Sequence, residues 1–157
     1  MKKALLLFCT LFCLTILTVF ADDMADVRKM FDNYVQAANT YSPEIPYFYS
    51  PSAKIIRQVV KPDGTTVNAT TDMATYTKQM KLSQSIAKVR KYTNKYFKIS
   101  VSKVPNGYKV SALRSPLNDN DNLKIYQIWK KQNGKWVIVE EMMQTRQQIF
   151  LKYADKE

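Results

Sequence analysis

Glu141 is the carboxylate best placed to do chemistry in this chain. It lies in the stretch Lys135 to Gln144, where Val137, Val139 and Met143 share its parity. Successive side chains of a strand point to opposite faces, so Glu141 is expected among apolar neighbours. Partial desolvation there raises a carboxyl pKa and suits a general base near neutral pH. The same placement also fits a carboxylate held in an ion pair with a lysine or arginine. Tyr34 and Tyr76 fall on the apolar faces of two predicted helices, and Tyr47 and Tyr49 lie in a proline-bracketed aromatic segment. Such tyrosines hydrogen-bond or stack on a flat ligand, or simply pack in a core. Met73, Met80, Met142 and Met143 would make an adaptable apolar lining.

A second chemistry is suggested by Lys88 to Lys98. Read as a strand, it places Lys88, Arg90, Tyr92, Asn94, Tyr96 and Lys98 on one face, so that cations and aromatics interleave. That composition attracts anionic lipid headgroups, envelope polymers or an acidic partner protein. The plainer reading is a solvated lysine-rich strand that blunts edge pairing.

The composition excludes much else. The chain has 157 residues, 24 Lys or Arg against 13 Asp or Glu, and no histidine. Ser-His and Cys-His nucleophiles and imidazole metal sites are therefore ruled out. The two cysteines, Cys9 and Cys13, sit in an apolar leader, so no disulfide, thiol nucleophile or thiolate metal site is expected in the remainder. Gly64, Gly107 and Gly134 are each placed at a turn, which leaves no glycine-rich phosphate loop. Asp119-Asn120-Asp121-Asn122 lacks the glycine and distal glutamate of a calcium loop. No cofactor or metal is expected.

Residues 1–21 read as a Sec-type signal peptide. Met1-Lys2-Lys3 is a short basic start, Ala4 to Phe20 is apolar, and Val19-Phe20-Ala21 precedes Asp22-Asp23 as a cleavage triplet. An uncleaved anchor is the rival reading. Phe8 and Phe12 precede the cysteines, which argues against lipidation. Removal would leave 136 residues as a single domain of net charge +9, periplasmic or secreted from a bacterium. Nucleic acid is not an expected partner of an exported chain.

These residues must be positioned by a helix over Asp22 to Thr40, strands over Ala53 to Val60 and Thr65 to Ala69, and a helix from Asp72 to about Leu82. Strands follow over Ile86 to Val101, Tyr108 to Ser115, Leu123 to Lys131 and Lys135 to Gln144, the last two joined at Asn133-Gly134. The tail, with Ile149, Phe150 and Tyr153 on one side, predicts a short C-terminal helix. Two helices cover only one face of such a sheet, so the fold class is α+β: a curved antiparallel sheet wrapped around N-terminal helices as a cone. Neither face of the last hairpin alternates cleanly. The outer face is therefore expected to form a homodimer interface or to lie under the tail.

This order resembles the nuclear transport factor 2-like superfamily, which shares its cystatin-like cone with polyketide cyclase and ketosteroid isomerase type enzymes and with a kinase association domain. The resemblance rests on Phe48-Tyr49-Ser50-Pro51-Ser52-Ala53-Lys54-Ile55, which is similar to the family's entry into the first strand. It also rests on Ile128 to Val139, similar to the last hairpin with a tryptophan on each side of Gly134-Lys135. It spans about residues 24 to 145. It implies that Gln127, Glu141 and Met143 point into the cone while Trp136 and Glu140 point out. Dehydratase-like relatives use histidine, which this chain lacks. The fold hosts enzymes, binders and assembly domains alike.

The expected function is that of an exported, non-catalytic binding protein. It would hold a small apolar or aromatic ligand among Tyr34, Tyr49, Tyr76, Gln127, Glu141 and Met143, or a partner on the basic face carrying Lys88, Arg90 and Lys98. The alternatives are an isomerase- or cyclase-like enzyme with Glu141 as base, and a ligand-free subunit of an envelope assembly.

Overall fold

The computed structural model describes residues 22–117 and 121–155; the expected signal peptide over 1–21, and residues 118–120 of the polar loop, lie outside them. Helix α1 spans 22–39 and leads through a 3-10 turn, Ile45–Phe48, into β1, Tyr49–Val60. β2, Thr66–Thr71, and α2, Met73–Val89, follow. The long strands are β3, Asn94–Val104, β4, Gly107–Pro116, β5, Leu123–Gln132, and β6, Lys135–Thr145. A second 3-10 turn, Gln148–Tyr153, closes the chain.

The six strands form one open, curved sheet in the order β2-β1-β6-β5-β4-β3. Neighbours are antiparallel except β1 and β6, which pair parallel. Val27, Phe31 and Tyr34 recur at helical spacing on α1 and are buried against the sheet. They join Met73 of α2 and Ile55, Val110, Ile125, Trp129 and Ile138 of the strands in one core.

Both helices end without glycine. In α1, Tyr41 takes φ 58° and the Ser42 amide reaches back to the Ala37 carbonyl at 2.9 Å. In α2, Lys91 takes φ 51° and the Tyr92 amide reaches Ala87 O at 2.9 Å. Each is a Schellman closure with a side-chain-bearing residue in the left-handed position.

The second closure corrects the expected boundary at Leu82. Helix α2 runs on to Val89, and the next strand begins at Asn94 rather than Ile86. Ser83 to Arg90 contains no proline or glycine, so nothing interrupts a helix that Asp72 has started by accepting from the Thr75 amide at 2.8 Å. The apparent two-residue period of Lys88, Arg90 and Tyr92 straddles a helix end and its turn. The expected basic strand face therefore does not exist. Lys88 lies in the last turn of α2, Arg90 caps it, and Lys98 stands at a β3 bulge with φ 52°. Tyr96 turns inward, edge-on to Phe31.

β6 departs from strict alternation too. Gln127 pairs with Glu141 and Ile128 with Glu140, but Trp129 pairs with Ile138, so Val139 is an extra residue. This bulge reverses the parity of everything before it. Ile138 is buried at 0% exposure, and Trp136, expected to point outward, packs on the core edge-on to Tyr108. Glu140 faces outward as expected and accepts from the Tyr126 hydroxyl at 2.7 Å.

The tail lies along β1 and β2. The Asp155 carboxylate accepts from the Thr70 amide at 2.9 Å and hydroxyl at 2.6 Å, and the Asp155 amide donates to Asn68 O at 2.9 Å. These bonds hold the Asp155 carboxyl below its ordinary value. Thr70 pairs with Ile56, whose side chain is only 6% exposed. The expected apolar side of the tail is not buried: Ile149 and Tyr153 are exposed, and Phe150 is half-buried.

Candidate functional site

The centre of the cone is a hydrogen-bonded cluster around Glu141, which is 0% exposed. Its Oε2 accepts from Tyr49 Oη at 2.7 Å, Gln127 Nε2 at 2.8 Å and Tyr34 Oη at 3.1 Å. Its Oε1 accepts from Arg57 Nη1 at 3.0 Å. Three elements deliver the four donors: Tyr34 comes from α1, Tyr49 and Arg57 from β1, and Gln127 from β5 directly across from Glu141 in register. Parity explains Arg57, because Ile55, Arg57 and Val59 share the inward face of that strand.

A second ring of contacts fixes these donors. Tyr49 Oη lies 3.3 Å from Tyr34 Oη, and Trp129 Nε1 donates to Gln127 Oε1 at 3.2 Å. That bond orients the Gln127 amide, so its NH2 faces Glu141. The Arg57 guanidinium sits 4.8 Å from the centre of the Tyr76 ring, a cation–π contact, and Tyr76 is edge-on to Tyr49. Burial, and then the Glu141 charge, push the Tyr34 and Tyr49 hydroxyls well above the ordinary tyrosine value. Burial also raises Tyr76.

The structure thus brings Tyr34, Tyr49, Tyr76, Gln127 and Glu141 together, with half-buried Met143 across from Arg57 in the β1–β6 register. It joins them as a packed cluster rather than as the lining of an open pocket. Of the two tyrosines in the proline-bracketed segment, Tyr49 is 5% exposed, whereas Tyr47 is 82% exposed. Sequence reasoning missed Arg57 and the orienting role of Trp129. The signal for Arg57 was present in its parity with Ile55 and Val59. Among the described residues no three Cys, Asp or Glu side chains gather closely enough to hold a metal ion.

Two other polar groups are enclosed. Arg114 is 4% exposed on the inward face of β4, where it donates to Asn94 Oδ1 at 2.6 Å and Gln144 O at 2.8 Å while its Nε has no acceptor. Trp136 Nε1 is likewise buried without an acceptor.

Open space lies to one side of the cluster. A half-open cavity of about 270 Å³ is lined by the end of α1 (Ala38), the connection through Tyr41, Pro43, Ile45 and Pro46, and the α2 residues Met80, Gln84 and Ala87. Its lining is mostly apolar. Its polar lining comes from Lys81, Ser42, Ser83 and Gln84, whose side-chain amide donates to the Tyr41 carbonyl at 2.5 Å.

No family model and no curated protein matches the chain. Solved structures do, and they define the fold as the nuclear transport factor 2-like, cystatin-like cone. An NTF2-like protein with a cystatin-like fold from Novosphingobium aromaticivorans aligns with TM-score 0.64 at 8% identity, over 85% of this chain and 88% of that one. A candidate scytalone dehydratase from the same organism aligns with TM-score 0.57 at 12% identity, over 78% and 83%. A chain of the yeast deubiquitinase Ubp3 and Bre5 cofactor complex aligns with TM-score 0.54 at 18% identity, over 76% and 93%. At such identities the likeness is one of fold, and it carries no activity across.

Proposed function

We propose that this chain is an exported, non-catalytic binding protein that takes a small apolar or aromatic ligand between α1, the first 3-10 turn and α2. The observation that carries this reading is the apolar cavity of about 270 Å³. Its size is near the lower end for small-molecule sites, roughly 300–1,000 Å³, and suits a single ring system or a short acyl segment. Gln84 and the Tyr41 carbonyl supply one polar end. The apolar leader over 1–21 supports export. The outer sheet face, with Ile128, Val137 and Met142 half-buried, supports pairing with a second copy.

The enzyme reading finds less support in the geometry. A general base needs a lone pair open to substrate. The Glu141 carboxylate instead accepts from four side chains, one of them a guanidinium, at 0% exposure. Here it serves as the anchor that ties α1 and β1 to β5 and β6.

The test pairs native mass spectrometry of the protein purified without denaturation with titration of the neutral fluorophore N-phenyl-1-naphthylamine. Wild type is expected to carry a releasable small molecule or to bind the fluorophore. Met80→Trp, which fills the cavity, should lose that binding with its fold intact by circular dichroism. Equal fluorophore binding by both proteins, or none by wild type together with no retained mass, would sink the reading.

A further inference from the structure

Helix α2 carries two apolar faces. Met73, Tyr76 and Met80 hold it to the core. Leu82, Ile86 and Val89 follow one another at four- and three-residue spacing, so they stand in line on a single face. They are 76%, 55% and 84% exposed. A surface helix of a globular domain ordinarily turns one apolar stripe inward and charged groups outward. Here three aliphatic side chains occupy the solvent side, in the stretch where α2 outruns its expected boundary.

The charge around this stripe is of one sign. Lys78, Lys81 and Lys88 share the helix with it, and Arg90 and Lys91 follow at its end. From Met73 to Val104 the sequence has eight Lys or Arg and no Asp or Glu. None of the five cations on or just beyond α2 makes an ion pair among the described residues. Tyr47, 82% exposed, belongs to the 3-10 turn whose Ile45 and Pro46 share the cavity with α2.

We propose that the outward face of α2 docks this domain on an anionic membrane surface. Leu82, Ile86 and Val89 enter the boundary between headgroups and acyl chains, and Lys78, Lys81 and Lys88 lie among the lipid phosphates beside them. A helix with an apolar stripe and lysines around it binds such an interface in its plane, through buried apolar area and attraction to anionic lipid together. Charge selects this occupant over a second copy of the chain. Two copies meeting face to face through α2 would bring ten like charges together, which opposes association. The docking does not depend on the cavity being a binding site.

The experiment is flotation of the protein with phosphatidylcholine vesicles, with and without a one-third share of phosphatidylglycerol. All variants carry the N-terminus the cell leaves, verified by mass. Wild type should float with the anionic vesicles and stay behind with the neutral ones, and added salt should weaken the binding. A juxtamembrane cation contributes about fivefold in affinity for an anionic surface. Lys78→Gln/Lys81→Gln/Lys88→Gln should therefore weaken binding about a hundredfold. Leu82→Ser/Ile86→Ser/Val89→Ser should abolish it while the thermal midpoint holds. As a second measurement, Leu82→Cys, the only thiol beyond Cys13, would carry an environment-sensitive fluorophore. Its emission should shift to the blue with anionic vesicles only. Equal flotation with both vesicle types, binding untouched by either triple variant, an unshifted label, or a stripe whose loss changes only self-association would each overturn the proposal.

Discussion

Arg57→Met isolates the Glu141 carboxylate while leaving the shape of its surroundings almost unchanged. In the native cluster Oε1 accepts from Arg57 alone at 3.0 Å, while Oε2 keeps three neutral donors. Methionine preserves the aliphatic stem of Arg57 but removes the countercharge from a group that is 0% exposed. Breaking a buried pair by deleting one partner costs about 3–5 kcal/mol, because the other charge stays behind unpaired. The urea dependence of a domain this size is about 2 kcal/mol per molar, so the unfolding midpoint should fall by about 2 M. That is a large part of a total stability of roughly 5–15 kcal/mol. The double variant Arg57→Met/Glu141→Gln separates charge from packing. Its amide oxygen still accepts from Tyr34, Tyr49 and Gln127, and its unmatched NH2 costs about 1–3 kcal/mol. The double variant should therefore be more stable than Arg57→Met alone. Urea unfolding followed by circular dichroism reads both. A loss under about 1 kcal/mol for Arg57→Met, set against the cost expected of a broken buried pair, would refute the reasoning. So would a double variant no better than the single.

Two further outcomes follow from the same structure. A Cβ added at Gly107 would lie 2.2 Å from the Trp129 carbonyl oxygen, a backbone atom that cannot swing aside. Gly107→Ala should cost about 1–3 kcal/mol in thermal unfolding, and a neutral substitution would contradict the close approach of β4 to β5. In alkali, Tyr34, Tyr49 and Tyr76 have folded-state values raised above the ordinary 10.0. Their contribution is complete below that value and is lost as pH rises through the folded values, because only the unfolded chain ionises them easily. Phenolate absorbance from these residues should appear together with loss of circular dichroism above pH 10. Tyr49→Phe should remove amplitude from that step, and phenolate formation in a still-folded chain would refute the account.

The fold was largely legible because its strongest signals are local. Asn133-Gly134 announces the β5–β6 hairpin, and Val27, Phe31 and Tyr34 announce the buried face of α1. Two things were not legible, for related reasons. The end of α2 is closed by Lys91 in a left-handed conformation, and a lysine gives no sign of the glycine-like position it fills. The bulge at Val139 is set by pairing with β5, so no pattern within β6 shows that Trp136 and Ile138 turn inward. At the site, the hairpin register implied by the family resemblance placed Gln127 and Glu141 on one face. The partner of Glu141 comes from a strand 84 positions earlier, a pairing that only the fold reveals.

The parallel pairing of β1 with β6 also constrains how this chain comes to be folded. Tyr34, Tyr49 and Arg57 lie 107, 92 and 84 positions before the carboxylate they bind. Until β6 arrives, the hydroxyls and the guanidinium lack the Glu141 carboxylate, and β1 has a neighbour on one side only. Contacts so distant in sequence require most of the chain to be ordered before they contribute, and chains dominated by them fold slowly. An emerging chain that stops short of Lys135 lacks both the central strand and the central charge. The core around Glu141 therefore closes only once β6 has taken its place between β1 and β5.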